Sequence, residues 1–391
     1  MNTEELKKAL LAKIKELEPL AYALSDQMAK NPEIGLQEFK SSAAIVQLLQ
    51  EHGIETEYPF AGYDTAFKGK IAPERRHRVA LLAEYDALRG LGHACGHCAS
   101  GSSSVLAALA FEALKDEYSF GVDIIGTPDE EYSGTKTIMA KQGIFDGYDF
   151  AAMVHMGPQT SADIQYIALD GIGIKWHGKA AHAAGEPWMG RNALDAAMLF
   201  FSATDAMRQH IIPEARIHGI IKNGGSASNI VPELSEVEFL TRAPKRKDLD
   251  EITAWVEDCA RAAALATHTE AEIFPLCEPF HELYISKYEK AALENCFNEL
   301  NLEYVSGTSV MTGSSDIGNV DYHCPAFHPI MSIGKPYTCH TPEFADAMIS
   351  GETHRAISSA ASLLVTLTAN LYGNPETLST IQQDHKAYRG Y

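Results

Sequence analysis

The densest group of metal-competent side chains in the 391-residue chain is Gly92-His93-Ala94-Cys95-Gly96-His97-Cys98. Cys95 and His97 are two apart, which suits two ligands on one loop. Thiolate and imidazole both suit zinc and related divalent ions. The same stretch has other readings. Cys95-Gly96-His97-Cys98 is formally a C-x-x-C redox pattern. Gly90, Gly92 and Gly96 make a poor copy of the dinucleotide fingerprint, because the third glycine is misplaced. Taken alone, the cluster is equally well a buried His and Cys without any ion. Further along, Thr127-Pro128-Asp129-Glu130-Glu131 places three adjacent acids after an apolar run. Such acids must be solvated, paired or bound to a cation. His155 closes another apolar run, and Cys339-His340-Thr341-Pro342-Glu343-Phe344 supplies a further His in a turn-like setting.

The elements that must position these groups alternate in type. Val79 to Ala83 is a short continuous apolar run, as in a strand covered on both faces. Residues 103–114 suit a buried helix, and 122–125 and 151–154 suit further strands. This alternation implies an α/β sheet. In open α/β sheets, sites form beyond the carboxyl ends of strands, and the Cys95–His97 loop, the acidic run and His155 each follow one. Three successive strand ends delivering metal-competent groups argue for one centre. Helices are expected at 195–208, 248–265 and 352–371, with strand character at 168–178 and 215–240. Residues 1–18 form an amphipathic pattern rather than a signal peptide.

Composition bounds the function. Lys and Arg number 32 against 52 Asp and Glu, a net charge of −20. Such an excess of acids repels phosphate backbones and anionic lipid surfaces, so no nucleic-acid partner is expected. No run of 18 apolar residues occurs, so no membrane span is expected. Hydrophobic residues make up 46%, enough for one large core and a smaller one. Seven cysteines without an export signal are expected to be reduced thiols in a cytoplasm. No G-x-S-x-G element is present, which argues against a serine hydrolase.

The ordered motifs His-Ala-Cys-Gly-His (93–97), Pro-x-Glu-Glu (128–131), strand-His155, Gly-Lys-x-x-His-Ala (178–183) and His-Thr-Pro-x-Phe (340–344) resemble the M20 family of co-catalytic metallopeptidases. The resemblance is to its cysteine-containing branch, with indole-acetyl-amino-acid and aminobenzoyl-glutamate hydrolases. Gly313-Ser314-Ser315-Asp316-Ile317-Gly318-Asn319-Val320 is similar to a segment of the aminobenzoyl-glutamate hydrolase-like members. The resemblance spans roughly residues 30–371.

That resemblance implies an α/β fold, with a mixed sheet flanked by helices in a catalytic domain of residues 1–166 and 280–391. An inserted α+β lid and dimerisation domain would occupy 167–279. It implies Cys95, His97, Glu131, His155 and His340 as ligands of two divalent ions (Zn, Mn, Ni or Co), with Cys95 bridging and Asp86 supporting the ligands from behind. Glu130 would be the general base and His182 would stabilise the oxyanion. Asn229 and Arg242 would hold a substrate carboxylate, which an Arg fork matches with two parallel hydrogen bonds. The chain departs from its relatives at several points. Glu84-Tyr85-Asp86 replaces a His-x-Asp motif, Cys98 stands in place of Asp or Asn, and Asp129 adds a charge that would raise the pKa of Glu130. The expected activity is hydrolysis of the amide bond of a small N-acyl amino acid or dipeptide with a free carboxylate, by a homodimer or dimer-based oligomer. The rivals are a non-catalytic metal-binding regulator or scaffold and a C-x-x-C thiol oxidoreductase.

Overall fold

The computed structural model describes residues 1–306 and 311–390. The chain divides into two compact units: unit 1 is Met1–Gln165, Leu283–Thr312 and Asp316–Tyr391, and unit 2 is Tyr166–Glu282 with Gly313–Ser315.

Unit 1 begins with α1 (Thr3–Lys30) and α2 (Phe39–Glu51), followed by β1 (Glu55–Glu57), β2 (Phe67–Ile71) and β3 (Arg78–Ala83). Then come α3 (His97–Ala113), β4 (Gly121–Gly126), α4 (Thr135–Lys141), β5 (Phe150–Ala152) and β6 (His155–Gly157). Beyond the short strand β7 (Gln165–Tyr166), unit 2 contains β8 (Ala168–His177), α5 (Ala193–Met207), β9 (Arg216–Asn223), β10 (Leu234–Ala243), α6 (Arg246–Thr267) and β11 (Glu270–Pro275). The remainder comprises α7 (Lys287–Glu299), β12 (Met311–Gly313), α8 (Ile317–Asp321), β13 (Ala326–Phe327), β14 (Ile330–Ser332), α9 (Pro342–Ala347), α10 (Gly351–Gly373) and α11 (Pro375–Arg389).

The sheet of unit 1 runs β1-β2-β4-β3-β5-β13. Pairing is parallel from β4 through β3 and β5 to β13, and antiparallel where β2 and β1 extend the edge, so the sheet is mixed. Val79 to Ala83 are all fully buried, as the continuous apolar run requires. α3 lies against β3 and β4 and packs on α1 and α10. Its residues are mostly small, and almost every one is buried. Gly101 shows why small residues are needed: a Cβ there would stand 2.2 Å from the backbone oxygen of Glu84.

Two elements differ from their sequence pattern. α1 continues through Pro19 to Lys30, because Ala21, Leu24 and Met28 extend the buried stripe begun by Leu6, Leu10 and Ile14. The run at 151–154 is split. β5 pairs with β3 and β13, while β6 begins at His155 and pairs in parallel with β14. α10 is long and apolar enough to cross a bilayer by composition, but 67% of its most apolar window is buried in the protein. It is therefore a core helix.

Unit 2 is a four-stranded antiparallel sheet, β11-β8-β10-β9, packed against α5 and α6. Its core is built on Trp176, Phe200, Phe239, Leu249 and Val256. Strand alternation is clean in β10, where every second residue is buried.

Candidate metal centre

The site gathers where β3, β4 and β5 end. Glu84 and Asp86 follow β3, Glu130 and Glu131 follow β4, and His155 comes three residues after β5. His97 is the first residue of α3, preceded by Gly96 in the left-handed region at φ 86°. Glycine is doubly required at 96, since a Cβ would also lie 2.9 Å from the Cβ of Met156. The fifth segment arrives from far along the chain: the backbone N–H of His340 donates to the Ala94 oxygen at 2.8 Å. That bond lays the 339–340 turn beside the Cys95 loop.

Donor atoms of Cys95, His97 and His155 lie within 4.8 Å of one another, and so do those of Cys95, Glu131 and His340. Cys95 is the member common to both triads, as a thiolate shared by two cations would be. His97 and His155 are each aimed by the other ring nitrogen. Nδ1 of His97 donates to Asp86 Oδ1 at 2.8 Å, and Nδ1 of His155 donates to the Met156 oxygen at 2.7 Å. Both Nε2 atoms are thereby left for the cluster, and His155 Nε2 stands 3.4 Å from Cys95 Sγ. Asp86 also accepts the Glu131 backbone N–H at 3.1 Å, so one carboxylate fixes two donors.

The donor set fits a pair of divalent ions. His97 Nε2 and Glu131 Oε1 are buried without a hydrogen-bond partner. Such orphans are rare unless something else satisfies them. The surrounding charge points the same way. Burial, the largest influence on His97, disfavours its cation, yet Asp86 and Glu84 hold its pKa well above the usual imidazole range. Burial also opposes ionisation of Glu131, but His340, with Nε2 3.5 Å from Glu131 Oε1, and the charge of His97 hold it down to about 2. A place that draws a proton so strongly is suited to a divalent cation.

Beside this cluster lies a second group that sequence spacing does not assemble. Donor atoms of Glu84, Glu130 and Asp316 fall within 4.8 Å of one another. The fully buried Lys136 stands between two of them, with Nζ 2.7 Å from Glu84 and 2.5 Å from Asp316. Burial, then Asp316 and Glu84, push Glu130 well above the usual carboxylate range. The extra charge of Asp129 is not the cause. Asp129 is buried with its N–H on Glu38 Oε1 at 2.9 Å, and its carboxylate bonds Ser133. The one sequence signal for this group is the 313–320 motif, which contains Asp316. Nothing marks Lys136, one of two lysines in a short helix.

Cys98 is fully buried in the main hydrophobic core. One helical residue past His97, it belongs to the packing of α3, and the C-x-x-C reading has no structural counterpart.

His182, Asn229 and Arg242 all belong to unit 2. The 181–183 segment pairs with 229–231 through Ala183 N to Asn229 O at 3.0 Å and Val231 N to Ala181 O at 2.9 Å. His182 and Asn229 are therefore neighbours, and both are exposed. Arg242, near the end of β10, donates to Ser314 at 3.4 Å and keeps a buried Nε without a partner.

Residues 169–268 match the peptidase dimerisation domain of the M20 peptidases. The chain is 33% identical to the Xaa-Arg dipeptidase of Mus musculus, over 98% of this chain and 93% of that protein. It is 28% identical to one of the subunits of the p-aminobenzoyl-glutamate hydrolase of Escherichia coli, over 93% of this chain and 91% of the relative. Among solved structures it is similar to the Bacillus subtilis YXEP protein, a dinuclear metal-binding peptidase from the M20 family. The TM-score is 0.69 at 18% identity, covering 91% of this chain and 99% of that one.

Proposed function

This chain belongs to the M20 family of peptidases, and from that premise we propose that it is a two-metal hydrolase of dipeptides and N-acyl amino acids bearing a free carboxylate. The observation that carries the reading is the overlap of two donor triads at Cys95, with His97 Nε2 and Glu131 Oε1 buried without a hydrogen-bond partner. Cys95, His97 and His155 would hold one ion, and Cys95, Glu131 and His340 the other. A pair of divalent ions held by these residues would supply Lewis-acid polarisation of the scissile carbonyl and lower the pKa of the attacking water.

The protein's own groups do the rest. Glu130 takes the proton of the attacking water and passes it to the leaving amine. Burial and its acidic neighbours make Glu130 a stronger base than an exposed carboxylate. We assign oxyanion stabilisation to His182, and capture of the substrate carboxylate to Asn229 and Arg242. These roles rest on the motifs around them and, for Arg242, on a buried Nε that has no partner within its own unit. Dipeptides with a basic C-terminal residue are the first substrates to try, given the dipeptidase relatives. Aminobenzoyl-glutamate comes next.

The dimerisation-domain match supports a homodimer as part of this proposal. β9 is an edge strand, and it exposes Ile220 and Ile221, while α5 exposes Met198 and Leu199. Exposed apolar residues on an unpaired edge mark an interface. Seven free cysteines suit a reducing cytoplasm.

A panel of dipeptides and N-acyl amino acids assayed with Zn²⁺, Mn²⁺, Co²⁺ or Ni²⁺ tests the activity. Glu130→Gln is expected to keep its metal content while turnover falls by about 10²-fold or more. Hydrolysis of nothing in the panel by metal-loaded protein would favour a scaffold, and full activity in Glu130→Gln would remove the assigned base.

A further inference from the structure

Cys339 has no part in the proposed chemistry, yet it sits against the sulfur on which that chemistry depends. The His340–Ala94 backbone bond sets the two segments side by side. Both thiols also lie over one dipeptide. Cys95 Sγ is 3.4 Å from His155 Nε2, and Cys339 Sγ is 3.8 Å from the Met156 oxygen. The two thiols lie close enough to interact directly. Neither is in a disulfide, and both are partly exposed, so a small oxidant reaches them. Cys98, the partner that sequence spacing offers, is sealed in the core.

We propose that Cys95 and Cys339 form a reversible disulfide when hydrogen peroxide reaches the site, and that this bond switches the enzyme off by removing the shared metal ligand. The first half rests on the His340–Ala94 bond that sets the two segments side by side and on the two sulfurs lying over one dipeptide. The second rests on the reading of Cys95 as a ligand. In the first step the Cys339 sulfur attacks the peroxide O–O bond. An S–O bond forms, the O–O bond breaks, and the departing hydroxide takes the thiol proton and leaves as water. The Cys95 sulfur then attacks the Cys339 sulfenic sulfur. The S–S bond forms, the S–O bond breaks, and the hydroxide leaves as a second water with the remaining proton. The two sulfurs together give up the two electrons that reduce the peroxide. A dithiol reductant reverses the bond and restores both thiols.

The test exposes metal-loaded protein to hydrogen peroxide and follows three readouts: peptide mapping without reduction, metal release to a chromogenic chelator, and activity. The expected result is a peptide pair linked through Cys95 and Cys339, lighter by two hydrogens than the separate peptides. Metal is released with it, and activity falls by about tenfold or more, returning with dithiothreitol and added metal. Cys339→Ser should form no linked pair, and any peroxide damage at its Cys95 should not be reversed by dithiothreitol. Cys98→Ser should still form the Cys95–Cys339 link. A treated protein with Cys339 still reduced, or with Cys95 joined to Cys98, overturns the proposal. So does a Cys339→Ser protein that is inactivated and revived like the parent. Untreated protein that binds no metal would defeat the hydrolase reading instead, leaving the linked peptide to decide whether the thiols pair.

Discussion

Asp86 shows how few contacts hold a metal-competent cluster in place. Its two oxygens take His97 Nδ1 and the Glu131 N–H, so one side chain fixes a donor from α3 and another from the loop after β4. Asp86→Ala is therefore expected to weaken divalent-metal binding by about 10–100-fold, read by competition against a metal-sensitive dye. Unchanged affinity would mean that the donors are held by other contacts. Glu38 supplies a pH dependence. It is buried, and burial pushes its pKa up to about 7 against hydrogen bonds from Thr65 and the Asp129 N–H. Its folded pKa lies above its unfolded value, so the stability it confers is fully present below about 4.5 and is lost as pH rises through about 7. Relative to Glu38→Gln, the parent should lose roughly 3 kcal/mol between about pH 5 and about pH 8, measured by chemical denaturation. A constant difference would show that Glu38 stays in one protonation state. Cys95, Glu131 and His155 were legible as candidate donors because they follow strand ends, and the structure brings them together. Lys136 was not, because its significance comes from Asp316, 180 residues away.

At the scale of elements, the site depends on α3 lying hard against the end of β3. Gly101 makes that approach possible, since a Cβ at this position would come within 2.2 Å of the Glu84 oxygen. Gly101→Ala should push the helix from the strand and destabilise unit 1 by about 1–3 kcal/mol. Because His97 rides on α3 and Asp86 on the β3 end, metal affinity should fall with it. Thermal denaturation with and without added metal checks both effects, and a stable variant with full metal affinity would show that the contact relaxes freely. Periodicity located β3, β4, α3, α5, α6 and α10 well, since each carries a long or strongly apolar pattern. It failed where tertiary context overrode it. Pro19 does not end α1, because the buried stripe continues on both sides. The run ending in His155 is split because β5 and β6 have different partners. A turn of chain that swaps partners leaves no mark in a run of Ala, Met and Val.

For the whole molecule, the sequence carried the α/β class, the acidic balance and the metal chemistry. The contact that brings His340 to the Cys95 loop could not be read from spacing, because it joins His340 to Ala94 across most of the chain. Assembly is a separate question with its own test. The exposed apolar residues of β9 and α5 predict a dimer in solution. Ile220→Asp together with Met198→Asp should give monomers by sedimentation velocity, and a parent protein that sediments as a monomer at micromolar concentration would contradict the interface. The central claim remains that two cations share Cys95. Anomalous X-ray scattering from crystals grown with Zn²⁺ or Mn²⁺ tests it most directly. Two anomalous peaks per chain are expected, one flanked by Cys95, His97 and His155 and the other by Cys95, Glu131 and His340. Loaded crystals with no peak at Cys95, or with both peaks elsewhere, would contradict it.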